Sequence, residues 1–288
     1  MEYLIHIAIL ICIYSILSLS LNLVVGETGL LSIAHAAFYG IGAYTTALLL
    51  IATGMNFFFA VILGMIVAGV VALGIGLVLS RFRDDFYALG SLGFSVIVYS
   101  IFLNWQSVTH GPLGIPGIAR PALFGFSFTN NFSFLILSLV ILALVYGACR
   151  FITKSSLGRV LHAIREDEQM ISIFGYSTTY YKLVVFIISA MLAAVAGALF
   201  ASYITFIDPS SFTINESIFV LAIIILGGLS SHKGAVFGAL ALVILPEILR
   251  FVGFPTDTAA QMRQVTYGLI LILLMLYRPQ GFFGRYRL

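Results

Sequence analysis

Residues 183–205 read LVVFIISAMLAAVAGALFASYIT and contain no charged side chain. A helix needs roughly 20 apolar residues to cross the hydrocarbon core of a bilayer, so this segment is long enough to span it. In lipid every backbone polar group must be satisfied within its own segment, and an α-helix achieves this. The segment therefore predicts a membrane-spanning helix.

The rest of the chain has the same apolar character. It is 61% hydrophobic and 9% charged over 288 residues, whereas a soluble domain carries about 25% charged residues. We predict about nine spans, near residues 3–25, 30–53, 56–80, 86–104, 131–152, 183–205, 216–229, 235–252 and 263–277. The predicted fold class is all-α, a polytopic membrane helical bundle of about 8–10 spans, with residues 1–288 forming a single transmembrane domain.

The distribution of Lys and Arg predicts the orientation in the membrane. Loops on the cytoplasmic side carry an excess of these residues. One set of loops holds eleven of them, namely Arg81, Arg83, Arg150, Lys154, Arg159, Arg165, Lys182, Lys233, Arg278, Arg285 and Arg287, and the opposite set holds Arg120, Arg250 and Arg263. The 154–182 loop is therefore predicted to be cytoplasmic, and the 105–130 loop external. The net charge of +3 concerns this orientation and does not indicate nucleic-acid binding.

Two glycine-rich stretches interrupt the apolar pattern. The first is GETGLLSIAHAAFYGIGAY at 26–44, and the second is GGLSSHKGAVFGALA at 227–241. Paired interruptions of this kind are typical of internal repeats with discontinuous helices. They leave the side of the N-terminus open, because counting charges places it outside whereas a broken segment at 26–42 would place it inside.

Small residues recur at four-residue spacing in three of the predicted spans. Faces of this kind let helices approach closely in lipid, so we predict a tightly packed bundle. The faces consist of Gly64, Ala68, Ala72 and Gly76, of Ala193, Gly197 and Ala201, and of Gly234 and Gly238.

A charged segment, KSSLGRVLHAIREDEQMISIFG, occupies residues 154–175. Its apolar residues recur at helical spacing, which indicates an amphipathic helix across the cytoplasmic end of the bundle. We predict one helix over residues 156–175, ended by Gly175 in the left-handed conformation. A charge run is usually a solvated connector, but the apolar face and the end signals favour a rigid docking element. The residues predicted to face outward are Arg165, Glu166, Asp167 and Glu168.

The same segment carries a family resemblance. Residues 158–182, GRVLHAIREDEQMISIFGYSTTYYK, resemble the cytoplasmic coupling loop of permeases in branched-chain amino acid ABC importers. Three further motifs are similar to those of this family: SLNLVVGETGLLSIAHAAFYGIGAY at 20–44, DPSSFTINESIFVLAIIILGGLSSHKGAVFGA at 208–239 and YRPQGFFG at 277–284. The loop and the ending resemble the M-type member of the family's paired H-type and M-type permeases. One departure is the run His232-Lys233-Gly234-Ala235, where the family more often has apolar residues and Gly-Pro.

The resemblance implies a multi-pass permease subunit of an ATP-driven importer in the inner membrane. Its implied partners are membrane lipid, an H-type permease, two cytoplasmic ATPase subunits and an external substrate-binding protein, without nucleic acid. The sequence contains no G-x-x-x-x-G-K-[ST] phosphate loop, so we expect no cofactor in this chain and ATP on the ATPase subunits. The residues expected to couple to the ATPases are Gly158, Arg159, Arg165, Glu166, Asp167, Glu168 and Gly175.

Polar residues at membrane depth are candidates for the translocation path, because burying them is costly. They are Asn22, His35 and Asn104, although hydrogen-bonded packing explains each of them as well. No catalytic or metal-binding residue is predicted. Ser32 and His35 are the one close pair of a nucleophile and a base, and no G-x-S-x-G motif accompanies them.

Two other kinds of transport protein stay open at this point. Permeases that resemble this chain also serve urea and short amides. A secondary transporter or a channel would also be a helical bundle with broken segments. Such a protein would usually bury ionisable residues along an ion path, whereas the one run of three consecutive acids in this chain, Glu166, Asp167 and Glu168, lies in the 154–175 segment.

Overall fold

The computed structural model describes residues 2–82, 84–123, 126–251 and 281–284, together with the isolated residues 265, 268, 269 and 272. The part of the chain so described is mainly helical. Its α-helices are α1 Glu2–Thr28, α2 His35–Thr53, α3 Phe57–Leu79, α4 Asp84–Asn104, α5 Gln106–Thr109, α6 Asn131–Lys154, α7 Ser156–Glu166, α8 Glu168–Ile173, α9 Thr178–Ile204, α10 Ile214–Gly227 and α11 His232–Phe251. Two 3₁₀ turns lie at Gly111–Leu113 and Pro209–Phe212. Four two-residue strands are β1 Ile115–Pro116, β2 Ala122–Leu123, β3 Phe126–Ser127 and β4 Phe206–Ile207.

Six of these helices are long and apolar enough to cross a membrane: α1, α2, α3, α4, α6 and α9. They correspond to the first six predicted spans, and they confirm an all-α membrane bundle. The ninth predicted span, at 263–277, lies outside the continuously described residues.

Helix α9 lies at the centre and packs against α1, α2 and α3. The contact with α2 is so close that a Cβ on Gly197 would overlap the carbonyl oxygen of Tyr39, and one on Gly42 would overlap the backbone of Ala194. The predicted small-residue face of α3 is also buried, from Gly64 to Gly76. The prediction of a tight bundle built on small residues is therefore confirmed.

Helices α10 and α11 form a bent pair, with 120° between them across the break at 228–231. α10 has 14 residues, so it is only about 21 Å long at 1.5 Å per residue, whereas the hydrocarbon core is about 30 Å thick. It begins beside the middle of α1, where the Tyr14 hydroxyl donates to the Glu216 carboxylate at 2.6 Å. The predicted discontinuous helix is thus present, and the predicted spans 216–229 and 235–252 are the two arms of this pair.

An aromatic cluster precedes α10. The ring of Phe212, just before the helix, lies 5.3 Å from that of Tyr39 and 5.7 Å from that of Tyr44, centroid to centroid. The rings of Phe102, near the end of α4, and Phe200, near the end of α9, complete the cluster. The segment that leads from α9 to α10 is therefore packed with rings on the side of the membrane that α10 does not reach.

The two glycine-rich stretches share a local geometry. Each contains the end of one helix, an interruption, and a new helix that starts at a histidine. The interruptions cover residues 29–34 and 228–231, and the histidines are His35 of α2 and His232 of α11. This similarity agrees with an internal repeat, which stays a prediction.

The bundle has two ends of different character. At one end, which is predicted to face outside and is here called the outer end, the Asn56 amide donates to the carbonyl of Ala122 at 3.1 Å, and β1 pairs antiparallel with β4. At the opposite end, here called the coupling end, α7 packs against α1, α6 and α9. α1 runs from the outer end, where His6 contacts Tyr203, to the coupling end. The N-terminus therefore lies opposite the charged segment, as the count of Lys and Arg indicated.

Labelling would test this orientation. We expect a cysteine at Ser156 to react with a membrane-impermeant thiol reagent only from the cytoplasm, and a cysteine at Leu113, which is 84% exposed, only from outside. Leu113 is a better reporter than the adjacent Gly114, where a Cβ would overlap the carbonyl of Ile207. The buried Cys12 and Cys149 serve as the background control in the unsubstituted chain. Labelling of both positions from one side would contradict the orientation.

Candidate coupling site and translocation path

The charged segment forms two helices instead of one. α7 ends at Glu166 and α8 begins at Glu168, and Asp167 between them is extended, with φ −156° and ψ 99°. The Asp167 carboxylate accepts a hydrogen bond from the N–H of Met170 at 3.0 Å and so caps the start of α8. The prediction of a single helix over 156–175 is wrong, because helical spacing does not reveal a side chain that competes for the backbone N–H groups.

The end of α8 has the predicted backbone. Gly175 is left-handed, with φ 87°. The N–H groups of Gly175 and Tyr176 donate to the carbonyls of Ser172 and Ile171 at 3.0 and 3.3 Å, which is the Schellman pattern. The left-handed conformation of Gly175 is confirmed, while its part in coupling stays a prediction.

Helix α7 lies tightly on the end of α6. Gly158 is buried, and a Cβ there would overlap the carbonyl of Thr153. Leu161 and Ile164 are buried on the same helix. Arg159 remains on the surface, where its guanidinium donates to the carbonyl of Lys154 at 3.4 Å. Gly158 therefore sets the close approach of α7 to the bundle, and Arg159 is accessible from the coupling end.

Two of the four charged residues predicted to face outward are bound within the chain. The guanidinium of Arg165 donates to the carbonyl oxygen of Gly26 in the last turn of α1. The carboxylate of Glu168 accepts from the ammonium of Lys182 in α9 at 2.5 Å. These partners belong to other helices, so spacing within the segment could not reveal them. The exposed members of the four are Glu166 and Asp167.

Helix α8 presents an exposed apolar surface that the charge pattern did not predict. The surface consists of Met170, Ile173 and Phe174, and the last two are 77% and 73% exposed. No residue of α8 is buried. Exposed apolar groups that cluster rather than scatter mark sites of interaction. We call these three residues the α8 surface.

A buried carboxylate joins three elements at the coupling end. Glu27, in the last turn of α1, is 1% exposed. Its Oε2 lies 2.7 Å from Nε2 of His162 on α7, and its Oε1 accepts from the hydroxyl of Ser230 in the α10–α11 turn at 3.2 Å. A carboxylate at a helix C-terminus opposes the helix dipole, and that mismatch is the sequence signal that could have revealed this junction.

Asn22 belongs to the same junction. Its side-chain oxygen accepts from the N–H of Ser230 at 3.1 Å, and the side chain is fully buried. A Cβ on Gly26 would overlap this oxygen, so the turn after α10 fits closely against α1. Asn22 therefore holds the turn in this structure.

The other two path candidates lie in different surroundings. His35 is fully buried, and its Nε2 lies 2.7 Å from the hydroxyl of Ser189, which donates to the carbonyl of Ser20. Asn104 is exposed, and its amide donates to the carbonyl of Ser100 at 2.8 Å. This face of α4 is open and mainly apolar, and it is formed by Val96, Ile97, Ser100, Ile101, Asn104 and Trp105. The structure does not bring Asn22, His35 and Asn104 into one site.

Comparison with known proteins identifies the family. Residues 3–276 match the family described as branched-chain amino acid transport system, permease component. The chain is 36% identical to the high-affinity branched-chain amino acid transport system permease protein LivM of Salmonella typhimurium, over 96% of this chain and 69% of that protein. It is 35% identical to LivM of Escherichia coli K12 with the same coverage. It is 30% identical to the permease protein LivH of Salmonella typhimurium, over 94% of this chain and 91% of that one.

No solved structure matches the chain significantly. The family match nevertheless spans nearly the whole sequence, and it includes the segments that form the bundle, the two helices of the charged segment and the bent pair. This chain belongs to the family of permease components of branched-chain amino acid transport systems.

Proposed function

We propose that this permease component imports branched-chain amino acids as one subunit of an ATP-driven transporter in the inner membrane. The names of its relatives, high-affinity branched-chain amino acid permeases, support this class of substrate. Family members are transport subunits, so the chain is a membrane permease rather than an enzyme. Urea or a short amide is the alternative substrate, because the few polar groups on the described membrane helices do not distinguish these solutes.

The α8 surface is the observation that carries the proposal of an ATPase partner. Ile173 and Phe174 lie at the end of the bundle that is rich in Lys and Arg, and both side chains are largely exposed. Such groups favour burial, at about 25 cal/mol per Å² of apolar surface. A cytoplasmic ATPase subunit docked on α8 would bury these side chains. That subunit would also bind the ATP, because the sequence of this chain contains no phosphate loop. Two such subunits are expected, one for each permease.

A second permease completes the proposed assembly. Resemblance to both the LivM and the LivH permease proteins supports pairing of this M-type chain with an H-type partner. An external binding protein would deliver the solute at the outer end, where β1 and β4 join the 105–123 loop to the segment before α10.

The path is proposed to run along the open face of α4 that contains Asn104. Among the three path candidates, Asn104 is exposed at the outer end of α4. A solute from outside can therefore reach Asn104 without any separation of the helices. Asn22 and His35 are sealed in this structure, so they would contact the solute only in a state in which helices of the bundle move apart.

Reconstitution in vesicles would test the function. We expect the complete transporter to take up labelled leucine only with ATP and binding protein, with competition by valine and isoleucine but not by urea. A non-hydrolysable ATP analogue is the matched control and should support no uptake. Uptake of urea in place of leucine would refute the substrate class, and uptake without ATP would refute the importer.

A further inference from the structure

The burial of the Glu27 carboxylate costs solvation free energy, and packing alone does not explain why a carboxylate lies there. Glu27 is 1% exposed, and desolvating a carboxylate is expensive even when it is paired. An apolar residue of similar volume at such a site is often as stable or more stable. Stability therefore does not account for a carboxylate here, and its specific contacts suggest another role.

The contacts of Glu27 join elements that are otherwise separate in the chain. One oxygen lies 2.7 Å from His162 of α7, and the other accepts from Ser230 at 3.2 Å. Arg165 of α7 adds a hydrogen bond to the carbonyl of Gly26 beside it. The end of α1 is thus attached to α7 on one side and to the α10–α11 turn on the other.

The turn itself is held by two side chains of α1. Ser230 is left-handed, with φ 59°, a conformation that is uncommon for a residue other than glycine. Its N–H is bound by Asn22 at 3.1 Å, and its hydroxyl by Glu27. A displacement of the end of α1 must therefore carry the start of α11 with it. Directional contacts of this kind resist sliding, whereas an apolar contact allows it.

Space for such a displacement adjoins the junction. A cavity of about 470 Å³ opens between α6 and the α10–α11 turn, and Glu27, His162 and Ser230 form part of its wall. The turn is also the break at which the bent pair changes direction by 120°. An element of two packed helices with a break is suited to a rigid-body switch.

We propose that Glu27 is the positioning residue that transmits the movement of α7 to the bent helix pair during transport. It acts through His162 on the side of the ATPases and through Ser230 on the side of the membrane helices. This inference rests on the proposed function, because it assumes that an ATPase moves α7.

The test uses the complete reconstituted transporter and measures ATP hydrolysed per solute imported. Replacing Glu27→Leu keeps the volume but removes both contacts. We expect the ratio to rise at least about fivefold, the lower end of typical coupling between sites, while assembly and thermal stability are unchanged. Glu27→Gln, which can still bond to Ser230 and His162, should restore a ratio close to that of the original chain.

Two further variants separate coupling from structure. His162→Ala should raise the ratio of ATP hydrolysed to solute imported, as Glu27→Leu does. The ratio of the double variant should equal that of either single variant within error, because the effects of residues that act through one contact are not additive. Glu216→Leu is the matched control. Glu216 also joins α1 to α10, through Tyr14, but the structure shows no bond between Glu216 and α7. The ratio of ATP hydrolysed to solute imported by the Glu216→Leu transporter should therefore not change.

The outcomes are distinct. An unchanged ratio in an assembled Glu27→Leu transporter would overturn the inference, as would independent effects that multiply in the double variant. If Glu27→Leu does not assemble, His162→Ala decides, since the His162 side chain is 31% exposed and its loss should be tolerated. If the original chain shows no ATP-driven uptake, the proposed function fails and the inference falls with it.

Discussion

The double variant Ile173→Glu, Phe174→Glu is expected to insert and to pair with its partner permease but to lose ATPase association and uptake. Both side chains are largely exposed and no residue of α8 is buried, so the exchange should cost the folded chain little. At an interface the new carboxylates would be desolvated without partners. Loss of one strong interface contact costs about 2 kcal/mol or more, and an unpaired buried charge adds several kcal/mol, so association should fall by at least about 30-fold.

Co-purification of the ATPase subunits and uptake by vesicles would measure this effect. The matched control is Gln169→Glu with Thr179→Glu, which adds two negative charges near α8 but keeps the apolar side chains of the α8 surface. Both positions are exposed and lie in the first turn of a helix, where acids are favourable. This control should associate and transport normally. Full uptake by the Ile173, Phe174 variant would show that α8 is a solvated connector.

Gly197→Ala is expected to destabilise the bundle although it adds a single methyl group. The new Cβ would overlap the carbonyl oxygen of Tyr39 and crowd the N–H of Ala43, so α2 and α9 would have to separate along their seam. Both neighbours are backbone atoms and cannot rotate away. Overpacking of this kind costs about 1–3 kcal/mol, and thermal unfolding of the purified complex should show a lower midpoint.

Gly147→Ala provides the matched control for that change. Gly147 also lies inside a membrane helix, α6, but apart from the adjoining backbone of α6 no atom of the described residues lies within 4 Å of the position of its Cβ. Alanine is a better helix former than glycine by about 1 kcal/mol, so the midpoint should stay the same or rise. Equal stability of the Gly197 and Gly147 variants would show that the seam can relax, contrary to the close packing seen here.

Features that depend on one segment at a time were predictable from the sequence. The six long helices follow from apolar length, the break in the bent pair from glycine and serine, and the left-handed Gly175 from its place after a helical pattern. The small-residue faces were also predictable, because four-residue spacing fixes which side chains share a face. These properties depend on residues close together in the sequence, so the sequence of one segment is enough to predict them.

Features that depend on partners far along the chain were not predictable. The charge pattern predicts that Arg165 and Glu168 face outward, whereas Arg165 donates to the carbonyl of Gly26 and Glu168 accepts from Lys182. Asn22 suggested a solute contact, whereas its oxygen holds the turn at Ser230. In each case a polar group finds its hydrogen bond on another helix, and periodicity within one helix carries no information about that choice.

The aromatic cluster before α10 has an electrical consequence. α10 covers only part of the thickness of the membrane, and a water-filled gap beyond its first turn would conduct ions. Across a membrane potential of 100 mV each elementary charge that crosses dissipates about 2.3 kcal/mol. The rings of Phe212, Tyr39, Tyr44, Phe102 and Phe200 occupy that space. They fill the thickness of the bilayer that α10 leaves uncovered, so a helix that spans only part of the membrane does not leave a path for ions.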